Sequence, residues 1–246
     1  MDTTKKTGLN SNQIKLIAII AMTIDHVTWL LFPGCQKIWW VMLLHVIGRL
    51  TAPIMWFFIA EGFHYTRNVK KYAARLFIFA VISHFAYNFA GGIPLIPNGF
   101  FNMTSVMWSL AWSVVLMVIF TTDRLPQWGK ILLIVLISFI TFPSDWSTIA
   151  AICPVYLYLN RGDFKKQSRA MLIWTAVYAA VYFIFMDKVY GLIQLCTLLS
   201  LPILKQYNGQ RGEWKGMKWF FYLYYPAHLF LIGICRVLIG NGSIFP

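Results

Sequence analysis

The 246-residue chain is 59% hydrophobic and only 12% charged, which excludes an ordinary soluble domain, where about a quarter of the residues are charged. Its net charge of +13 would suggest nucleic-acid binding in a soluble protein. In a membrane protein, however, Lys and Arg collect in cytoplasmic loops. The composition therefore predicts an all-α, polytopic membrane bundle without a nucleic-acid partner.

Apolar segments recur along the whole chain, and a helix of about 20 residues crosses the bilayer core. The second segment is long and contains Pro53, so we expect residues 38–50 to form a separate tilted piece. No internal repeat is visible, and we treat residues 1–246 as a single membrane-embedded domain. The nine predicted spans cover residues 13–33, 38–64, 72–90, 103–121, 130–143, 146–159, 170–187, 189–204 and 218–239.

Basic residues favour alternate loops. Together with Lys15, the N-terminal segment and the loops after spans two, four, six and eight contain 17 of the 21 Lys and Arg residues. The positive-inside rule then predicts a cytoplasmic N-terminus and, with nine spans, an external C-terminus. The four cysteines are scattered, without metal-ligand or disulfide spacing, so we expect neither a metal site nor a disulfide framework.

The first span contains Asp25 and His26 within an otherwise apolar sequence. Lys15 lies eleven residues before His26, so both point to one helix face, about 16.5 Å apart along the axis. They are expected to line one lengthwise channel, although a snorkelling lysine and a histidine that bonds a neighbouring helix are alternatives. Asp25 points about 100° away from His26, and either Arg49 or a hydroxyl on the second span is an alternative partner for it.

Polar residues also cluster at the end of the second span and beyond it. Glu61 is a candidate to orient His26, and His64 shares its helix face. The loop that follows contains Arg67, Lys70, Lys71 and Arg75. This cluster suits phosphate groups, and simple positive-inside topology with anionic lipids is the alternative. Asn208 and Arg211 belong to the Gly-containing loop before the last span, which itself contains Tyr222 and His228.

Three segments resemble the TraX family of bacterial inner-membrane proteins. They read "IKLIAIIAMTIDHV", "IGRLTAPIMWFFIAEGFHYTRNVKKYAARLFIFAVIS" and "YNGQRGEWKGMKWFFYLYYPAHLFLI". The family's named function is N-terminal acetylation of conjugative F-pilin. More distantly, Lys15 with His26, "WFFIAEGFHYTR" and "YYPAHLF" are similar to motifs of the membrane acyltransferase 3 family, with Lys15 in place of the usual Arg and Glu61 in place of Ser.

The resemblance implies a membrane acyltransferase that moves an acyl group, expected to be acetyl, from cytosolic acyl-CoA through a helical tunnel to an amine or hydroxyl near the outer face. His26 would act as base or acyl carrier. A proton-coupled transporter and a non-catalytic pilus or surface assembly factor remain alternatives.

The expected partners are membrane lipids, acyl-CoA and a peptide amine, glycan or small-molecule acceptor, with homo-oligomerisation left open. The expected catalytic residues are His26, Asp25 and Glu61; the acyl-CoA-binding residues are Lys15, Arg67, Lys70, Lys71, Arg75, Asn208 and Arg211; the supporting residues are Arg49, His64, Tyr222 and His228.

The charge asymmetry predicts the topology of reporter fusions. A reporter that is active only after export is expected to be active when it is fused after Pro246, and a reporter that is active only in the cytosol is expected to be inactive there. Enzyme assays on cells that express each fusion check this. The opposite pattern would place the basic loops outside the cell and contradict the expected binding of cytosolic acyl-CoA.

Overall fold

The computed structural model describes residues 7–93 and 102–240. Every regular element in these two ranges is a helix, apart from two isolated bridges, Leu9 with Tyr207 and Thr104 with Ser144. The α-helices are α1 Ser11–Leu31, α2 Trp39–Gly48, α3 Thr51–Tyr65, α4 Val69–Gly91, α5 Val106–Thr121, α6 Gln127–Thr141, α7 Ile149–Leu159, α8 Phe164–Phe185, α9 Lys188–Gln194, α10 Leu201–Lys205 and α11 Met217–Ile239. A 3-10 helix, Leu195–Ser200, joins α9 to α10.

Six helical segments in the described ranges are long and apolar enough to span a membrane: Ser11–Leu31, Trp39–Tyr65, Val69–Gly91, Phe164–Phe185, Lys188–Lys205 and Met217–Ile239. The shorter apolar helices α5, α6 and α7 coincide with the predicted fourth, fifth and sixth spans. With 11 to 16 residues each, these three are shorter than a full crossing at about 1.5 Å per residue. The described residues therefore form an all-α membrane bundle with six candidate spans.

The second predicted span is divided as expected, but not at Pro53. The chain turns at Arg49 and Leu50, between α2 and α3. Pro53 lies in the first turn of α3, where a missing N–H breaks no helical hydrogen bond. Nearly all of α3 is buried, and it packs against α1, α5 and α7. It is therefore the central helix of the bundle.

Loops meet at two opposite ends of the bundle. At one, here called the basic end, the Leu9 N–H donates to the Gln206 carbonyl at 2.8 Å, and Arg161 contacts Glu61. At the other end, Lys37 pairs with Asp187 at 3.5 Å. The loops with most of the basic residues thus lie together at the first end.

Candidate active site

The loop before α11 is fixed onto the first turn of α1. Asn10 caps α1 in a reciprocal capping box with Gln13, and the Ser11 hydroxyl donates to the Arg211 carbonyl at 2.9 Å. Gly209 and Gly212 have φ values of +77° and +86°, a conformation that favours glycine. A Cβ on Gly212 would also lie 2.7 Å from the Asn10 side-chain oxygen. This packing places Arg211 at the same end of the bundle as Lys15.

A cavity of about 540 Å³ opens at the basic end. It is bordered by residues of α1, α3, α4, α5 and α11 and by the loop before α11. Burial raises the pKa of Tyr207, which lies in this wall, to about 12, so its phenol stays neutral. The charged and hydroxyl-bearing residues in the lining are Ser11, Lys15, Glu61, Tyr65, Thr66, Arg67, Tyr72, Arg75, Tyr207, Arg211, Lys218 and Tyr222.

The cations of the cavity are not paired with its carboxylate, because Glu61 is paired with Arg161. Its five cations, Lys15, Arg67, Arg75, Arg211 and Lys218, form no salt bridge with any residue in ranges 7–93 and 102–240. The Lys15 ammonium instead lies over the rings of Phe58 and Phe221, 5.0 Å and 5.6 Å from their centroids. Cations that gather in a partly enclosed space without counter-charges form an electrostatic site for an anion.

Three predicted acyl-CoA-binding residues, Lys70, Lys71 and Asn208, lie outside the cavity wall, as does the predicted supporting residue His64. Lys70 and Lys71 are exposed in the first turn of α4. His64 is exposed, and its ring packs edge-on to Tyr65. The Asn208 side chain accepts a hydrogen bond from the Gln210 N–H at 2.9 Å, so it stabilises the turn that carries Arg211.

Glu61 contacts Arg161 rather than His26. Its carboxylate accepts hydrogen bonds from the guanidinium of Arg161 at 2.7 Å and 3.3 Å, and Arg161 also donates to the Tyr65 hydroxyl at 2.9 Å. The hydrogen bond from Glu61 raises the pKa of Arg161 above its usual value. The prediction that Glu61 orients His26 is therefore wrong, because the Glu61 carboxylate is paired with Arg161 in the loop between α7 and α8.

Asp25 also points away from His26, as the helical geometry requires. Its carboxylate accepts from Arg49 at 2.6 Å and contacts His45 Nδ1 at 2.8 Å. Arg49 donates a further bond to Gln194 at 3.0 Å. Gly48 permits this approach, since a Cβ there would lie 2.4 Å from Asp25 Cβ. The structure therefore contradicts a direct catalytic role for Asp25 beside His26 and shows the expected partner, Arg49.

His26 is paired with His228 across α1 and α11. His26 Nδ1 lies 2.7 Å from His228 Nε2, and the ring planes differ by only 8°. Stacked rings stay at least about 3.5 Å apart, so this contact is an edge-to-edge hydrogen bond within the ring planes. His228 is 6% exposed, whereas His26 retains some accessible surface.

One backbone carbonyl fixes the protons of both neutral imidazoles. His228 Nδ1 lies 2.9 Å from the Tyr224 carbonyl oxygen, which only accepts, so Nδ1 must carry a hydrogen. His228 Nε2 is then an acceptor, and His26 Nδ1 must donate to it. This assignment follows from the hydrogen-bond network. It leaves His26 Nε2 with a free lone pair, as a general base requires.

A second contact between the same helices positions the imidazole pair. The hydroxyls of Thr23 and Tyr224 are 2.7 Å apart. Thr23 precedes His26 by three residues, and Tyr224 precedes His228 by four, so each pair shares one helix face. The Tyr224 ring is also parallel to that of His228 within 11°.

The cavity does not reach His26. Met55 is among its lining residues and lies about 9 Å farther along α3 from the basic end than Glu61. Lys15 lines the wall, but His26 does not. The expected channel from Lys15 to His26 is therefore present only over its first part in this structure.

The sequence does not reveal the roles of Arg161, Gln194 or the hydroxyls of Thr23 and Tyr224. His45 lies within the second predicted span and Tyr224 within the ninth. Their partners are 20 to 201 positions away along the chain, and no local pattern marks such pairs. A basic residue in a short loop, such as Arg161, also fits the positive-inside rule without a partner.

The geometry defines a helical membrane protein with a basic cavity at one end and a hydrogen-bonded imidazole pair deeper in the bundle. The chain belongs to the TraX family, because the family model described as "TraX protein" matches residues 10–236. This confirms the resemblance seen in the sequence.

One similar protein comes from Dichelobacter nodosus. It is described as "Probable fimbrial assembly protein FimC, serogroup H1" and is 32% identical over 240 residues, which cover 92% of this chain and 96% of that protein. No solved structure matches the chain significantly.

Replacement of Asp25 is expected to destabilise the fold. Asp25→Asn removes the charge that compensates buried Arg49 and should lower the free energy of unfolding by about 3–5 kcal/mol. Asp163→Asn is the matched control, because Asp163 caps α8 at a partly exposed position and Asn caps equally well. Thermal unfolding in detergent measures both. An Asp25→Asn protein as stable as the wild type would contradict the structural role.

Proposed function

We propose that this protein is an acyltransferase of the bacterial cytoplasmic membrane, with its basic end in the cytosol and its N-terminus inside. It would take an acyl group, most simply acetyl, from cytosolic acyl-CoA and transfer it to an amine at or near the outer face. The resemblance to the TraX family makes the amino group of a pilin-like peptide the first acceptor to test. The unpaired cations of the cavity are the observation that carries the proposal.

The cavity suits the two chemically different parts of acyl-CoA. Phosphate groups form strong charge-assisted hydrogen bonds with guanidinium and ammonium groups, and Arg67, Arg75 and Arg211 are available for them. The inner wall is apolar, with Met55, Met107 and Leu110 among its residues. A slender pantetheine arm could extend along this wall while the phosphates stay at the mouth.

A short stretch separates the cavity from His26. Met22 precedes His26 by one helical turn and is buried in the core, and Met55 and Met107 line the cavity. Methionine side chains are unbranched and adaptable. Rotation of such side chains would open a path for the thioester without moving the helices, which supports transfer at His26.

The imidazole pair supplies the base. In the neutral state His26 Nε2 accepts the proton of an attacking amine, and His228 accepts a hydrogen bond from His26 Nδ1, which supports the positive charge that His26 then gains. The carbonyl of Tyr224 holds this tautomer in place. Asp25 neutralises the buried Arg49 and takes no part in proton transfer.

The relative's name favours a second candidate function, a non-catalytic factor in fimbrial assembly. That role requires docking surfaces but neither an anion-binding cavity nor a free imidazole base. The two candidates differ in one observable property, since only the acyltransferase binds and cleaves acyl-CoA as a purified protein.

Charge reversal in the cavity is expected to weaken acyl-CoA binding. Arg75→Glu should raise the dissociation constant by about 10- to 100-fold, the equivalent of one lost charge-assisted hydrogen bond. Arg124→Glu, an equal charge change in an exposed loop away from the cavity wall, should have little effect. Calorimetric titration with acetyl-CoA measures both. Equal affinities for the two variants would mean that the basic residues serve topology alone.

Replacement of His26 is expected to remove the chemistry and to spare binding. His26→Gln should lower the rate of acyl transfer by about 10²–10⁴-fold, the usual effect of losing a general base. Acetyl-CoA affinity and the unfolding temperature should stay close to those of the wild type. Single-turnover release of CoA from the purified protein provides the rate. Near wild-type turnover in His26→Gln would show that the base lies elsewhere.

A further inference from the structure

Two buried hydroxyl groups in the described part of the chain lack hydrogen bonds of normal geometry, and one of them is on a ring that packs against the imidazole pair. They belong to Ser105, which is fully buried, and Tyr225, which is 3% exposed. Buried polar groups are almost always satisfied, and an exception calls for an explanation such as a catalytic role. Neither hydroxyl takes part in the proton path through His26 and His228.

Both hydroxyls converge on the N-terminus of α5. Ser105 is the N-cap residue of this 16-residue helix but makes no side-chain capping bond. The Tyr225 hydroxyl faces the Ser105 side chain and the Val106 backbone. The first N–H groups of a helix have no partner within the helix, and they lie at the positive end of its dipole. The two hydroxyls thus add to a place that already favours negative charge.

The N-terminus of α5 and the Tyr225 side chain lie next to the cavity wall and to His26, respectively. The Tyr225 ring packs edge-on to His26 and His228, with centroid separations of 6.5 Å and 5.6 Å. Met107 and Leu110, which follow Ser105 in the first turns of α5, line the cavity wall. Tyr225 is therefore adjacent to the imidazole pair and, through Ser105, to the helix that borders the cavity.

We propose that Tyr225 is a further catalytic residue, whose hydroxyl donates a hydrogen bond to the thioester carbonyl oxygen as that oxygen becomes negative. Ser105 and the Val106 N–H would support it as an oxyanion-binding site. This inference rests on the proposed acyltransferase function. Groups that are fixed in advance where charge develops give one of the largest single contributions to catalysis.

The acceptor amine attacks the carbonyl carbon, a C–N bond forms, and the carbonyl electron pair moves to the oxygen held by Tyr225. His26 Nε2 takes the proton of the amine. When the carbonyl reforms, the C–S bond breaks, and His26 returns the proton to the thiolate of CoA. The products are an amide and free CoA.

The test compares single-turnover acetyl transfer by the wild type, Tyr225→Phe and Ser105→Ala, with hydroxylamine as the amine acceptor and acetyl-CoA as the donor. Tyr225→Phe is expected to lower the rate constant by about 10²–10³-fold, the effect of losing one oxyanion donor. Its affinity for acetyl-CoA should not change. Tyr156→Phe, which removes a hydroxyl on α7 far from the imidazole pair, is the matched control and should keep the wild-type rate.

The outcomes separate the two proposals. If the wild type neither binds nor cleaves acetyl-CoA, the acyltransferase function itself is wrong. If the wild type is active and Tyr225→Phe turns over at the same rate, only the role of Tyr225 is overturned. If Tyr225→Phe fails to fold, Ser105→Ala decides, since at least a tenfold loss of rate at unchanged affinity is expected and an unchanged rate would overturn the site.

Discussion

A polar side chain inside a bilayer has no water to replace a missing partner, and this constraint organises the whole bundle. Asp25 is neutralised by Arg49 and Glu61 by Arg161, and His26 is hydrogen-bonded to His228. The three pairs connect different elements, so they fix how α1 packs against α2, α3 against the α7–α8 loop, and α1 against α11. The five cations of the cavity differ from these paired groups, because no carboxylate in the described ranges pairs with them.

The same constraint accounts for the adjacent acid and imidazole in α1. Successive residues of a helix point about 100° apart, so Asp25 and His26 face different neighbours. Both carboxylate oxygens of Asp25 are engaged, one by Arg49 and one by His45, which makes it structural. His26 has one nitrogen engaged and one free, which makes it suitable for chemistry. An acid and an imidazole side by side therefore serve two separate tasks.

Much of this architecture could be predicted from sequence. Hydropathy located every long helix, and eleven-residue spacing placed Lys15 and His26 on one face. The charged loop after α3 indicated a basic cavity, and its Arg67 and Arg75 do line it. Sequence could not show that Lys71 points away from the cavity, because single residues of a charged run look alike. Nor could it show that His228, rather than Glu61, contacts His26, since helix packing alone determines which distant side chains meet. The buried hydroxyls of Ser105 and Tyr225 carry no sequence signal, because serine and tyrosine are ordinary residues at a helix cap and in an aromatic belt.

The central claim is that an acyl group enters from the cavity at the basic end and leaves on the far side of the membrane. Sealed proteoliposomes test it, with isotope-labelled acetyl-CoA added outside and an amine-bearing peptide enclosed in the lumen. Mass spectrometry of the lumenal peptide after transfer gives the result. The account predicts labelled, acetylated peptide inside while CoA stays outside, and no label when the vesicles contain His26→Gln protein. An unlabelled lumenal peptide, or labelling only of peptide added on the same side as acetyl-CoA, would contradict it.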